Sequence, residues 1–67
     1  MTLTEKLDKL LDMKQGTSIV YIPQFGDGIP EEAKFHRIRR DNQEYIVEVE
    51  IQNGSLRWGY LYQIALF

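Results

Sequence analysis

Cysteine is absent from this 67-residue chain, proline occurs twice, and tryptophan and histidine occur once each. Without thiols there are no disulfides, no thiolate metal ligands and no cysteine nucleophile. No stretch approaches the ~20 consecutive apolar residues of a bilayer-spanning helix. Met1–Lys14 interleaves Lys6, Lys9 and Lys14 with Glu5, Asp8 and Asp12, so the uninterrupted apolar run of a secretory leader is missing as well. Cytoplasm is the expected location. Neither sign of charge dominates: 8 Lys+Arg against 10 Asp+Glu leave a net charge of −2. One small domain is expected, and a domain of this size buries only about 60% of the surface its unfolded chain exposes. Lacking covalent staples, it depends on a good core, a partner, or both. What the chain does have is 43% hydrophobic residues, with four Tyr, three Phe and one Trp, which argues for folding rather than disorder.

Thr2-Leu3-Thr4-Glu5 reads as a capping box, in which Thr2 accepts from the Glu5 amide. Leu3, Leu7, Leu10 and Leu11 follow at the spacing of one helical face, and Gly16 suits a left-handed helix end. A helix over about 3–14 is predicted. Three turns are marginal alone in water, so it must dock on something. Ile19-Val20-Tyr21-Ile22 is a short β-branched run ended by Pro23, which predicts a strand over about 18–23. Gln24 to Glu32, with two Gly, one Pro and three acids, reads as a long loop. Further strands are predicted over about 34–40, 43–52, 55–62 and 64–67.

Asn53-Gly54 is the strongest local signal, because this dipeptide tolerates the positive φ of a two-residue type I′ hairpin. That loop would pair Ile51 with Leu56, Glu50 with Arg57, Val49 with Trp58, Val47 with Tyr60, and Tyr45 with Tyr62. A second tight turn at Asp41-Asn42 would set Arg39 opposite Glu44, Ile38 opposite Tyr45, Arg37 opposite Ile46 and His36 opposite Val47. On this reading Ile38, Tyr45, Val47, Val49, Trp58, Tyr60 and Tyr62 face inward, and Glu44, Glu48 and Glu50 face outward. Ile46 and Leu61 form an apolar patch on the outer face beside Phe35, a seat for the leucine stripe.

The order of short strand, long loop, strand, tight turn, strand, Asn-Gly hairpin, strand and short terminal strand resembles that of the SH3-like small barrels. Gly59-Tyr60-Leu61-Tyr62-Gln63-Ile64-Ala65-Leu66 is similar to the glycine–aromatic–apolar ending that leads such domains into their last strand. The resemblance covers about residues 17–67. It implies an α+β fold, with an N-terminal helix followed by a four- or five-stranded antiparallel meander curling into an SH3-like barrel. It carries over no functional residue, since the first strand, the Trp pair and the terminal Pro…Asn-Tyr of SH3 domains have no counterparts here.

Two charge features are candidates for a site. Residues 1–33 hold three lysines against six acids, and the long loop combines Phe25, Asp27, Glu31 and Glu32. With Tyr21 and Tyr62 as an aromatic rim, that loop suits a basic protein partner. Lys34-Phe35-His36-Arg37-Ile38-Arg39-Arg40, joined by Arg57, is the one basic concentration and suits a nucleic-acid backbone with Phe35 stacking on bases. The competing expectation is that Glu44, Glu48 and Glu50 neutralise it. The apolar end Ile64–Phe67 presents an edge that another copy or a larger assembly would pair. His36 has no nucleophile in a recognisable setting, and Asp27, Glu31, Glu32 and His36 lack metal-site spacing, so neither enzymatic activity nor a cofactor or metal is expected. The leading expectation is a protein–protein adaptor or inhibitor, of the small accessory kind that phages and bacteria encode. Nucleic-acid binding and a structural role in an assembly stay open beside it.

Overall fold

The computed structural model describes residues 2–24 and 28–66. One helix, α1 (Leu3–Leu11), precedes five strands: β1 (Ser18–Tyr21), β2 (Glu31–Asp41), β3 (Glu44–Ile51), β4 (Leu56–Tyr60) and β5 (Ile64–Ala65). A three-residue 3₁₀ turn, Leu61–Gln63, joins β4 to β5. The strands form one antiparallel sheet in the order β4-β3-β2-β1-β5, curled into a half-barrel. The α+β class expected from the sequence is therefore what the chain adopts.

The helix starts where the capping pattern places it, with the Thr2 hydroxyl oxygen accepting from the Glu5 N–H at 3.2 Å. It ends at Leu11, three residues earlier than the periodicity predicts. Gly16 does take a left-handed φ of 94°, but in the turn where the Thr17 N–H donates to the Lys14 carbonyl, not at the helix end. The Gly16 N–H donates to the Phe35 carbonyl, which ties this turn to β2. Only part of the leucine stripe is used. Leu10 is fully buried in the core and Leu7 is half-buried, whereas Leu3 and Leu11 are exposed. The seat of the helix is the 3₁₀ turn rather than Ile46, and the Lys6 Nζ donates to the Leu61 carbonyl at 3.3 Å.

The core gathers Leu10, Ile19, Tyr21, Ala33, Phe35, Val47, Val49 and Ile64. Phe35 belongs to this interior, not to the outer surface where the sequence places it. Strand β2 begins at Glu31, so Glu31 and Glu32 lie in the sheet opposite Tyr21 and Val20 rather than on the loop. The turn between β2 and β3 is Asn42-Gln43, one residue later than expected, with Asn42 at φ 57°, a value that asparagine tolerates. Ile38 consequently pairs with Val47 and Arg39 with Ile46, and a bulge between Phe35 and Arg37 leaves His36 as the extra residue.

The second hairpin departs further from expectation. Ladder partners are Glu50 and Leu56, Val49 and Arg57, Glu48 and Trp58, Val47 and Gly59, and Ile46 and Tyr60. This is a one-residue slip from the register that a type I′ loop would set, and it turns every β4 side chain to the other face. Gly54 alone takes positive φ, at 87°. The Gly54 N–H donates to the Ile51 carbonyl, the Ile51 N–H to the Ser55 carbonyl, and the Ser55 N–H to Asn53 Oδ1. The loop is thus the three-residue kind, a turn closed by a left-handed glycine.

The interior explains why this register wins. A Cβ at Gly59 would stand 3.1 Å from Tyr21 Cε1 and 3.2 Å from Gln63 Cβ and Cδ. A side chain opposite Val47 would press on Tyr21 and Gln63, which favours glycine there and leaves little room for a tyrosine ring to point inward. Trp58 and Tyr60 are displaced to the outer face.

Candidate functional site

The outer face can be read in rungs across β2, β3 and β4. Asp41 pairs with Glu44 at the turn. Next come Arg39, Ile46 and Tyr60, then Arg37, Glu48 and Trp58, and last Lys34, Glu50 and Leu56. Aromatic residues occupy the β4 side of two successive rungs. Trp58 and Tyr60 meet edge to face with centroids 5.6 Å apart, and Tyr60 stacks on Tyr62 at 5.9 Å. Trp58 is 54% exposed and Tyr62 61% exposed, with Tyr60 half-buried between them. Ile46 lies fully covered on this face, outside the main core cluster.

The chain holds β4 in place from its free side. The Tyr21 hydroxyl donates to the Trp58 carbonyl at 3.3 Å, and the Tyr60 N–H donates to Gln63 Oε1 at 3.0 Å. Gln63 is buried, and its Nε2 donates to the Ile22 carbonyl while its own carbonyl accepts from the Ile22 N–H. These bonds satisfy backbone groups of an edge strand and draw the two ends of the half-barrel together. The aromatic row therefore sits on a braced strand.

Across β3, Glu48 joins two arginines. Arg37 Nε donates to its Oε1 at 2.9 Å and Arg39 Nε to its Oε2 at 2.8 Å. Hydrogen bonds from Arg37 and then Arg39 hold the Glu48 carboxyl at about 2, far below the usual carboxylate range, and the same contact raises Arg37. The side chain of Glu48 is only 17% exposed, so this register costs no uncompensated burial of charge.

The basic residues singled out in the sequence do not form one surface. Arg37 and Arg39 are tied to Glu48, and Lys34 faces Glu50 in the ladder. Arg40 lies over the Tyr45 ring at 5.5 Å, and Arg57 stands opposite Val49, on the other face from Arg37 and Arg39. Phe35 is in the core. Of the loop candidates, Phe25 and Asp27 lie outside the described residues, as does Phe67 at the expected terminal edge. Glu31 is half-buried, Glu32 is exposed, and Tyr21 is buried, its hydroxyl bonded to the Trp58 carbonyl in the lining of a groove beside that residue.

Three open grooves surround the aromatic row. One of about 430 Å³ runs past Pro23, Gln24 and Glu31 to Arg57 and Trp58, joining the start of the long loop to the row. Another, of about 550 Å³, lies between Leu3 and Leu7 of the helix and Tyr45, Tyr60 and Tyr62. A third, of about 830 Å³, extends from Trp58 and Tyr60 to Asp41 and Glu44. Sequence reasoning missed Trp58 as a surface residue, because its side follows the hairpin loop length, which the Asn53-Gly54 dipeptide leaves open. Among the described residues, no three His, Cys, Asp or Glu side chains gather as a metal ligand set, and no helix is long and apolar enough to cross a membrane.

No family model, no curated protein and no solved structure matches this chain.

Proposed function

We propose that this protein is a non-enzymatic binding module that captures another protein, as adaptor or inhibitor, through the aromatic row Trp58–Tyr60–Tyr62. The observation that carries the reading is that row itself. Two of its rings are more than half exposed, although the core is filled without them. Clustered Trp and Tyr on a rigid element supply large contact area at low entropic cost, the usual profile of an interface hot spot. The acidic loop remains part of the reading, since the groove at Pro23, Gln24 and Glu31 opens onto Trp58. The strand order, with a 3₁₀ turn feeding β5 back onto β1, supports assigning the half-barrel to the SH3-like architecture, and the cytoplasm is the proposed location. Partner capture from a host lysate is the test. Trp58→Ala with Tyr62→Ala abolishes capture while the protein still unfolds cooperatively, its thermal midpoint lowered only by the loss of the two ring contacts with Tyr60; capture that survives both substitutions removes the rim from the binding surface.

A second reading, nucleic-acid binding, draws on one observation: Arg37 and Arg39 share the outer face with Trp58 and Tyr60. Stacking aromatics beside guanidinium groups suit a single strand. Glu48 already occupies both arginines, which weakens their hold on phosphate. Retardation of a labelled oligonucleotide that fades as salt rises supports this reading, and no retardation at low salt excludes it.

A further inference from the structure

We propose that the groove running from Trp58 and Tyr60 to the Asp41–Glu44 rung receives a cationic side chain, arginine or lysine, carried by an extended segment of the partner protein. The inference rests on the aromatic row being a protein-docking surface, and it names the chemistry of the occupant.

Three observations converge on a cation. Trp58 and Tyr60 meet at an interplanar angle of 89°, forming two walls of a corner whose Trp58 side is open to solvent. A ring face attracts a positive charge through its quadrupole, indole most of all. At the other end of the same groove, Asp41 and Glu44 are direct ladder partners, and like charges directly opposite one another are unfavourable. Among the described residues no salt bridge reaches either carboxylate, and both residues are exposed. The one cation lining the groove, Arg39, is drawn toward β3 by its hydrogen bond to Glu48 Oε2 at 2.8 Å. The groove thus offers an aromatic corner and two unpartnered carboxylates, with its resident arginine already engaged. A positive group lodged between the two ends would be drawn by the carboxylates on one side and by the solvent-open Trp58 ring on the other.

Extended backbone is the form that fits the site. Rungs on the outer face repeat at the two-residue period of a strand, so alternate side chains of a segment lying across them would meet successive rungs. The net charge of −2 favours approach by a basic segment.

The experiment uses two short probes, an acetyl-Gly-Arg-Gly-amide peptide and its citrulline isostere, which has the same shape without the charge. Each is titrated into the isotope-labelled protein, and the Trp58 indole N–H and the backbone amides of residues 41–44 are followed by NMR. The arginine peptide shifts both sets of signals saturably, and the citrulline peptide binds about twofold to fivefold more weakly, the loss of one solvent-exposed charge contact on an aromatic face. Asp41→Asn with Glu44→Gln weakens the arginine peptide about threefold to tenfold, as expected for two partly screened charge contacts. Trp58→Ala abolishes the response. Equal binding of the two peptides, or an unchanged affinity in the doubly neutralised variant, overturns the cation assignment and leaves the rim reading standing. No shift with either peptide also overturns it, and partner capture by the Trp58 and Tyr62 variants then decides the rim reading separately.

Discussion

Glu48 stands directly opposite Trp58 across the β3–β4 ladder, and both side chains lie on the outer face of the sheet. A carboxylate and an indole make an unlikely pair by cross-strand chemistry alone. Here each is accounted for by other neighbours: Glu48 by Arg37 and Arg39, Trp58 by Tyr60. The pairing is set elsewhere, at the loop and at Gly59. It decides that the protein presents its only tryptophan to solvent.

The register can be read from that tryptophan. Trp58 fluorescence has the emission of solvent-exposed indole and is readily quenched by acrylamide, and Trp58→Ala changes stability by only about 0.5–1.5 kcal/mol, the worth of its ring contact. Deleting Gln52 is tolerated, because the remaining Asn53-Gly54 then spans the same Ile51–Ser55 closure as a two-residue loop. A blue-shifted, unquenchable emission in the parent protein would mean the alternative register.

Gly59 is fixed by close approach. Gly59→Ala places a methyl group 3.1 Å from Tyr21 Cε1 and is expected to cost about 1–3 kcal/mol. Thermal unfolding reports this as a midpoint drop of about 4–8 °C for each kcal/mol. Gly16→Ala meets nothing within 4 Å, so only its left-handed φ opposes it and the loss is smaller, about 1–2 kcal/mol.

Gln63 is buried for its hydrogen bonds. Gln63→Leu keeps most of the volume but strands the Tyr60 N–H and the Ile22 carbonyl, with an expected loss of about 1–3 kcal/mol. Amide exchange at Tyr60 accelerates in this variant ahead of the exchange in β2 and β3.

On the helix, adjacent leucines separate docking from propensity. Leu10→Ala removes a fully buried side chain and costs about 2–5 kcal/mol, whereas Leu11→Ala, on an exposed position, stays within about 0.5 kcal/mol. Equal losses in chemical denaturation would mean that the helix seats on a different face.

Glu48 gives the stability a pH dependence of known sign. Its carboxyl titrates at about 2 in the folded chain, against an ordinary value of 4.5. The stabilisation is therefore present above pH 4.5 and is lost as pH falls toward 2, where the folded state takes up the proton as well. Glu48→Gln should lower stability by about 1 kcal/mol near neutrality, and the gap to the parent should close over that acid window in denaturant titrations.

The sequence by itself determined the helix, the five strands and their order, though not the 3₁₀ turn at Leu61–Gln63, where it continues the fourth strand. Thr2 and Glu5 marked the helix start, the alternation of Tyr45, Val47, Val49 and Ile51 marked the inner face of β3, and Asn53-Gly54 marked a hairpin. These are local matters, settled by backbone conformation and by the period of apolar side chains within one segment. Tertiary structure alone decided where the helix sits, that β2 begins at Glu31, and which way β4 faces. Asn53 accepts either sign of φ, so two- and three-residue loops are both open to the same dipeptide, and their difference reverses a whole strand. The choice falls to a distant contact, the narrow space between Tyr21 and Gln63 that admits a glycine and turns Trp58 and Tyr60 outward.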